Sequence, residues 1–145
     1  MKRRVFAVLL VAYALHFAWE MGQGPLFATM GRLPFRTATA WCARAAGWDV
    51  LISAAAYLAA ALAARRLLWL HGRAWWPCAV YLGVGLVITI AIEKWAIAAG
   101  RWQYQEAMPT IAGIGLSPLA QWLLVPLAIA GIARAVSLRS AAPEP

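Results

Sequence analysis

Acidic residues are scarce in this chain: five Asp and Glu stand against 13 Lys and Arg in 145 residues, and both signs together make up only 12%. So little charge excludes an ordinary water-soluble domain, where about a quarter of the residues are charged. With 64% hydrophobic residues, the solvent this sequence is built for is lipid. Only two cysteines occur, Cys42 and Cys78; the topology below sets them near opposite membrane faces, so no disulfide is expected. No G-x-S-x-G, HExxH, CxxC, Walker loop or dinucleotide fingerprint is present. The sequence signals for a serine hydrolase, a zinc site and a nucleotide cofactor are therefore missing, and neither a metal nor a cofactor is expected. The net charge of +8 is scattered over the ends of apolar runs. It forms no patch, which excludes nucleic acid as a partner and favours contact with anionic membrane lipids.

Four apolar runs are present: Val5 to Trp19, Val50 to Leu70 interrupted by Arg65 and Arg66, Ala74 to Ala99 broken only by Glu93 and Lys94, and Ile111 to Ala133. A helix needs roughly 20 residues to cross a hydrocarbon core of about 30 Å. Backbone polar groups in lipid must be satisfied within their own segment, so helices are expected rather than strands. The expectation is an all-α membrane protein: one four-transmembrane-helix bundle over residues 1–139, with helices at about 4–24, 48–70, 74–99 and 111–135, and a disordered tail at 140–145. The start, Lys2-Arg3-Arg4 before an apolar stretch, has the pattern of a signal peptide with small-residue cleavage after Ala18. An uncleaved anchor is the simpler reading, since it keeps four spans and His16.

Four spans put both termini on one side. That side carries Lys2, Arg3, Arg4, Arg65, Arg66, Arg73, Arg134 and Arg139; the other carries Arg32, Arg36, Arg44, Lys94 and Arg101. The excess predicts cytoplasmic termini. Every carboxylate except Glu144 then falls to the extracytoplasmic side. The longer outer connection, Met21 to Trp48, is expected to hold a re-entrant or interfacial segment around Ala40 to Ala45. Trp residues near the run ends fit interfacial belts.

Charged groups near lipid cost several kcal/mol unless paired, so the acids mark a polar site. On helix 1, Tyr13, His16, Glu20 and Gln23 fall on one stripe, with His16 and Glu20 spaced i, i+4 for imidazole–carboxylate contact. Helix 2 offers Asp49, Ser53 and Tyr57 four apart, helix 3 Tyr81, Thr89 and Glu93, and helix 4 Ser117 and Gln121. Pro118 and Pro126 are expected to kink helix 4 and free the carbonyls of Ile114 and Trp122. Such stripes also serve as interhelical hydrogen-bond struts. Apolar residues continue beyond Glu93, keeping it inside the span. It is the leading candidate for a proton-donating acid, beside a carboxylate steadied by Arg101 or His16; the other reading is an ion pair with Lys94 or Arg101 that fixes the helix end. The run Gly100 to Pro109 reads as a cap, in which Arg101 can hold an anionic head and Trp102 and Tyr104 can face a cation or a polyene.

The run His16-Phe-Ala-Trp-Glu-Met-Gly-Gln-Gly-Pro-Leu-Phe27, with Gly47-Trp-Asp49, Glu93, Gly100-Arg-Trp-Gln-Tyr104, Met108-Pro109, Gly115-Leu-Ser-Pro118 and Gln121-Trp122, resembles small four-helix bacterial integral membrane proteins without an assigned activity. The resemblance covers most of the chain and implies the fold and a multi-pass place in the bacterial cytoplasmic (inner) membrane, but no reaction. In the second half, an acid followed by Gly-x-Trp-x-Tyr and a Pro-containing polar helix is similar to the membrane domains of carotenoid lycopene cyclases. That family has an acidic Pro-x-Glu-type motif on its last helix, whereas Pro118-Leu-Ala-Gln121 places an amide there. The departure counts against cyclisation, and what the similarity implies is an apolar, isoprenoid-like ligand reaching the site from the bilayer.

Three functions follow as expectations. The first is an enzyme acting on a lipid or prenyl substrate, with Glu93 as acid, Asp49 or Glu20 as base, His16 orienting Glu20, and Arg101, Trp102, Tyr104, Gln121 and Gln23 binding substrate. The second is a non-catalytic membrane subunit or lipid-binding protein, joined to a protein partner or to further copies of itself. The third is a proton or ion conductor.

Overall fold

The structure, a computed structural model, describes residues 2–72 and 74–139; Met1, Arg73, the tail 140–145 expected to be disordered, and the side chains of Lys2, Arg4, His71 and 137–139 lie outside the described residues. The chain forms four long helices, α1 (Lys2–Gln23), α2 (Phe35–Ala63), α3 (Trp76–Ala98) and α4 (Leu116–Arg139), with a two-stranded hairpin of β1 (Thr110–Ile111) and β2 (Ile114–Gly115) before the last. Each long helix contains a stretch long and apolar enough to cross a membrane. Large apolar side chains such as Phe6, Leu62, Val87 and Leu124 point away from the bundle, where lipid satisfies them. This is an all-α, multi-pass membrane protein.

Helix α1 packs on α2 and α4, and α3 packs on the same two, closing a ring of antiparallel neighbours. Both termini therefore share one end of the bundle. The other end is capped by the connections 24–34 and 99–115. The core between α1 and α4 is Ala12, Val125 and Ile129. Toward the terminal end Ala56, Ala60 and Ala61 of α2 pack with Trp69 and Tyr81; three alanines let the helices approach closely, as lipid-embedded helices do. Gly85 has the same function against α4, since a Cβ there would lie well inside contact distance of the Trp122 ring.

Both ends of the second helix differ from the sequence expectation, as does the start of the fourth. The helix expected to begin near 48 begins at Phe35, so the expected re-entrant or interfacial segment is the opening of α2. Pro34 precedes it with φ −55°, and no Gly or Pro interrupts 35–46, which holds five alanines and so has strong helix propensity. At 29 residues, α2 rises about 43 Å and outruns the hydrocarbon core. Its overhang carries Arg44 stacked 4.2 Å over the exposed Trp41 ring. The same helix stops at Ala63, not 70: Arg65 turns left-handed at φ 49°. Bonds from Arg65 N to Leu62 O and from Arg66 N to Ala61 O, both 3.0 Å, close the helix end in a Schellman arrangement. The chain then folds back, with the Tyr57 hydroxyl donating to Leu67 O at 2.7 Å.

Helix α4 begins at Leu116, not 111, because 110–115 forms the hairpin. Its turn residues Ala112 and Gly113 have φ 52° and 77°, as a two-residue type I′ turn requires. Pro118 consequently falls in the first turn of α4, where a missing N–H is harmless; the expected kink and free carbonyl at Ile114 do not arise. Pro126 does lie inside the helix.

Candidate functional site

Side-chain spacing brings polar groups from three helices to a single chain of hydrogen bonds near the capped end. The Ser117 hydroxyl donates to Gln23 Oε1 at 2.9 Å. Gln23 Nε2 donates to Glu20 Oε1 at 2.6 Å and to Gln121 Oε1 at 3.1 Å. Gln121 Nε2 donates to Asp49 Oδ2 at 2.9 Å and meets His16 Nδ1 at 3.1 Å. His16 Nε2 lies 3.1 Å from Ser53 Oγ. His16, Gln23, Ser53 and Gln121 are all buried.

The direction of every bond is dictated by chemistry. An amide NH₂ only donates and has two hydrogens, and Gln23 and Gln121 each use both. With the Gln121 amide nitrogen turned to His16, Nδ1 accepts, and the ring proton on Nε2 is then offered to Ser53. The 3.7 Å approach of His16 Nδ1 to Asp49 Oδ2 is thus bridged by the Gln121 amide. The sequence expectation that His16 orients Glu20 is corrected: Gln23 holds Glu20, while the imidazole is bound across the bundle by Gln121 and Ser53. The Cys42 thiol adds a bond to Glu20 O at 3.5 Å.

Glu93 on α3 is held separately. Its Oε2 accepts the Trp102 indole N–H at 3.2 Å and the Tyr104 hydroxyl at 2.5 Å. Glu20, Asp49 and Glu93 lie near enough for their charges to act on one another. Tyr104 stands outside the spans, and burial, with the Glu93 bond second, holds its phenol above the ordinary tyrosine value. The cap that presents it is built by the backbone: Ala28 N donates to Gln103 O at 2.9 Å and Gln105 N to Leu26 O at 2.8 Å. Phe27 packs on the Tyr104 ring with centroids 5.5 Å apart, and Gly115 leaves room for that ring, since a Cβ there would be 3.1 Å from it.

Arg101 is not brought to the acids. Its amide closes α3, bonding to Ala96 O at 2.8 Å, and its guanidinium lies 5.5 Å from the exposed Trp95 ring. Among the described residues no Lys or Arg pairs with Glu20, Asp49, Glu93 or Glu106, so the expected pairing of Glu93 with Lys94 or Arg101 is replaced by two neutral donors. Trp102 and Tyr104, expected to face a cation or a polyene, direct their polar atoms onto Glu93. Tyr13 leaves the helix 1 stripe and donates to Ala43 O at 3.2 Å from an exposed position, and Glu106 is exposed on the cap. Among the described residues no three His, Cys, Asp or Glu side chains are grouped as a metal site.

A groove of about 560 Å³ runs between α1 and α4, lined by Leu15, Ala18, Trp19, Leu124, Val125 and other small or apolar residues, with Gln23 and Ser117 at the capped end. The hydrogen-bond chain therefore begins in a lipid-facing groove. Sequence reading missed this groove and assigned Trp19 to an interfacial belt; no periodic signal reveals a gap between two helices.

No family model, curated protein or solved structure matches the chain.

Proposed function

We propose that this protein is a membrane enzyme that handles a lipid or prenyl substrate at the capped end of its bundle, by acid/base chemistry among Glu93, Glu20 and Asp49. The observation that carries the reading is that Glu20, Asp49 and Glu93 are held by neutral donors toward one end of a lipid-facing bundle, with no Lys or Arg paired to them among the described residues. Struts between helices need only neutral groups, and acids near lipid are expensive to keep. Carboxyls so placed can pass a proton to or from a bound substrate. Glu93, bound by Trp102 and Tyr104, is the acid; Asp49 or Glu20, presented by the Gln121 and Gln23 amides, is the base. His16, Gln23 and Gln121 act as positioning residues, and Arg101 has no part in holding a head group. The distribution of Lys and Arg supports cytoplasmic termini, and on that reading the site faces the outer leaflet; the resemblance to small bacterial membrane proteins supports the cytoplasmic membrane as its location.

A second reading, a non-catalytic membrane subunit with a protein partner or a second copy of itself, is favoured by one observation: both hydrogens of Gln121 and both of Gln23 are already satisfied inside the bundle. Proton or ion conduction is disfavoured, because Ala56, Ala60 and Ala61 close the middle of the bundle toward the terminal end with apolar side chains.

Mass spectrometry of total lipid extracts from a deletion strain, complemented with wild type or with Glu93→Gln, tests the proposal. A lipid species that changes on deletion and is restored by wild type alone is expected. Full restoration by Glu93→Gln overturns the acid/base role.

A further inference from the structure

The groove lies along α1, the span with the smallest buried share. Its span is 11% buried, against 28% for each of the other three. Gly22 adds to the gap, since a Cβ there would meet nothing within 4 Å. The walls are apolar, so hydrocarbon fills the groove at no desolvation penalty, and the two polar residues lie together at the capped end, Ser117 bonded to Gln23. The Trp19 indole N–H, on a residue that lines the same groove, is buried without a partner. A buried donor left unsatisfied costs about 1–3 kcal/mol; the Trp19 N–H is closed off from the groove in this conformation, and a turn of the indole that offers it to an acceptor oxygen there would relieve that cost.

The charge at this end limits what that oxygen belongs to. No Lys or Arg stands among the residues that line the groove, so a phosphate or carboxylate head would lie there without a counter-charge. Resting on the reading above and extending it to the substrate class, we infer that the α1–α4 groove binds the hydrocarbon chain of a membrane lipid whose head is an uncharged oxygen group, a hydroxyl or carbonyl, set against Trp19, Gln23 and Ser117. The head then lies beside Glu20, which shares the Gln23 amide.

The test is photolabelling of the full-length protein in lipid nanodiscs with a diazirine-bearing hexadecanol, with hexadecyl phosphate of the same tail as competitor. Labelled peptides are expected from the facing sides of α1 and α4. Gly22→Leu, which fills the open groove, lowers the labelling about tenfold; Gly83→Leu, whose Cβ also meets nothing within 4 Å but which lies outside the groove, leaves it unchanged. Trp19→Phe, which keeps the ring and removes the donor, weakens binding roughly 3- to 10-fold, and unlabelled hexadecanol competes where hexadecyl phosphate does not. Labels spread evenly over all four helices, labelling insensitive to Gly22→Leu, or equal competition by the phosphate each overturn the inference. Labelling as expected, with Glu93→Gln fully restoring the lipid profile, removes the acid/base reading and leaves the lipid site standing. A profile restored by wild type alone, without groove labelling, does the reverse.

Discussion

Replacing Gln121 by Leu tests whether the amide chain holds the bundle together. The substitution keeps the side chain's bulk and deletes three bonds, to Asp49, His16 and Gln23. Interhelical hydrogen bonds in membranes average about 0.6 kcal/mol each, so their sum is roughly 2 kcal/mol. That is a lower bound, since Asp49 loses a donor and His16 Nδ1 a partner inside the bundle, and each orphaned group adds about 1–3 kcal/mol. Equilibrium unfolding in mixed detergent micelles is therefore expected to show at least a thirty-fold drop in the folding constant, the equivalent of about 2 kcal/mol. Leu124→Ala, on the lipid-facing side of the same helix, serves as the reference with little change. A loss below about 0.5 kcal/mol for Gln121→Leu, within the range of ordinary surface changes, would refute the view that this residue joins three helices.

Gly85→Ala is expected to destabilise by about 1–3 kcal/mol through overpacking on Trp122, whereas Gly83→Ala, with open space at its Cβ, should be neutral or gain up to ~1 kcal/mol of helix propensity; thermal unfolding of the detergent-solubilised pair reads the difference. Arg65→Gly relieves a left-handed residue at φ 49° and should stabilise by about 1 kcal/mol in the same assay, and a loss would show that the arginine side chain matters more than its backbone. Because the folded-state value of Tyr104 lies above its ordinary value, its contribution is complete below about pH 10 and is lost only as pH rises past that. Unfolding midpoints of wild type should thus hold up to that pH and then fall more steeply than those of Tyr104→Phe; parallel curves would remove the Tyr104–Glu93 bond from the account.

The four spans were legible because lipid imposes one demand on every residue of a span, and composition alone reports it. The polar stripes were legible for a related reason: His16, Gln23, Asp49, Ser53, Glu93 and Gln121 are conspicuous among apolar neighbours, and helical spacing assigns them a face. Which residue on a stripe meets which was not legible. His16 and Glu20 are four apart, yet each binds a different glutamine, because side-chain partners are chosen across helices. The start of α2 was hidden by Arg36 and Arg44, which lower the hydropathy of a segment whose alanines nonetheless make a helix. The hairpin at 110–115 was hidden by its apolar residues, which read as a continuation of α4 although Ala112-Gly113 is a turn. Arg101 was drawn toward the acids by charge alone, and the closure of α3 at Gly100, φ 64°, sends it to Trp95 instead.

The lock and the acids are different parts of one network, and this separates the two leading readings. Ser117, Gln23, Gln121, His16 and Ser53 already connect α1, α2 and α4 through neutral donors and acceptors. Glu20 and Asp49 attach to that line at its sides, through the Gln23 and Gln121 amides, and also meet each other. Glu93 on α3 is tied instead to the cap, being bound by Trp102 and Tyr104. A bundle that needed only to be held together would be served by the neutral line, with a shorter amide or hydroxyl where each acid stands. The three carboxyls carry the desolvation burden of ionisable groups near lipid, and Glu20 is joined through the Gln23 amide to the end of the groove from the bilayer. Both facts support the chemical role proposed above, while the satisfied amides of Gln23 and Gln121 support the structural one.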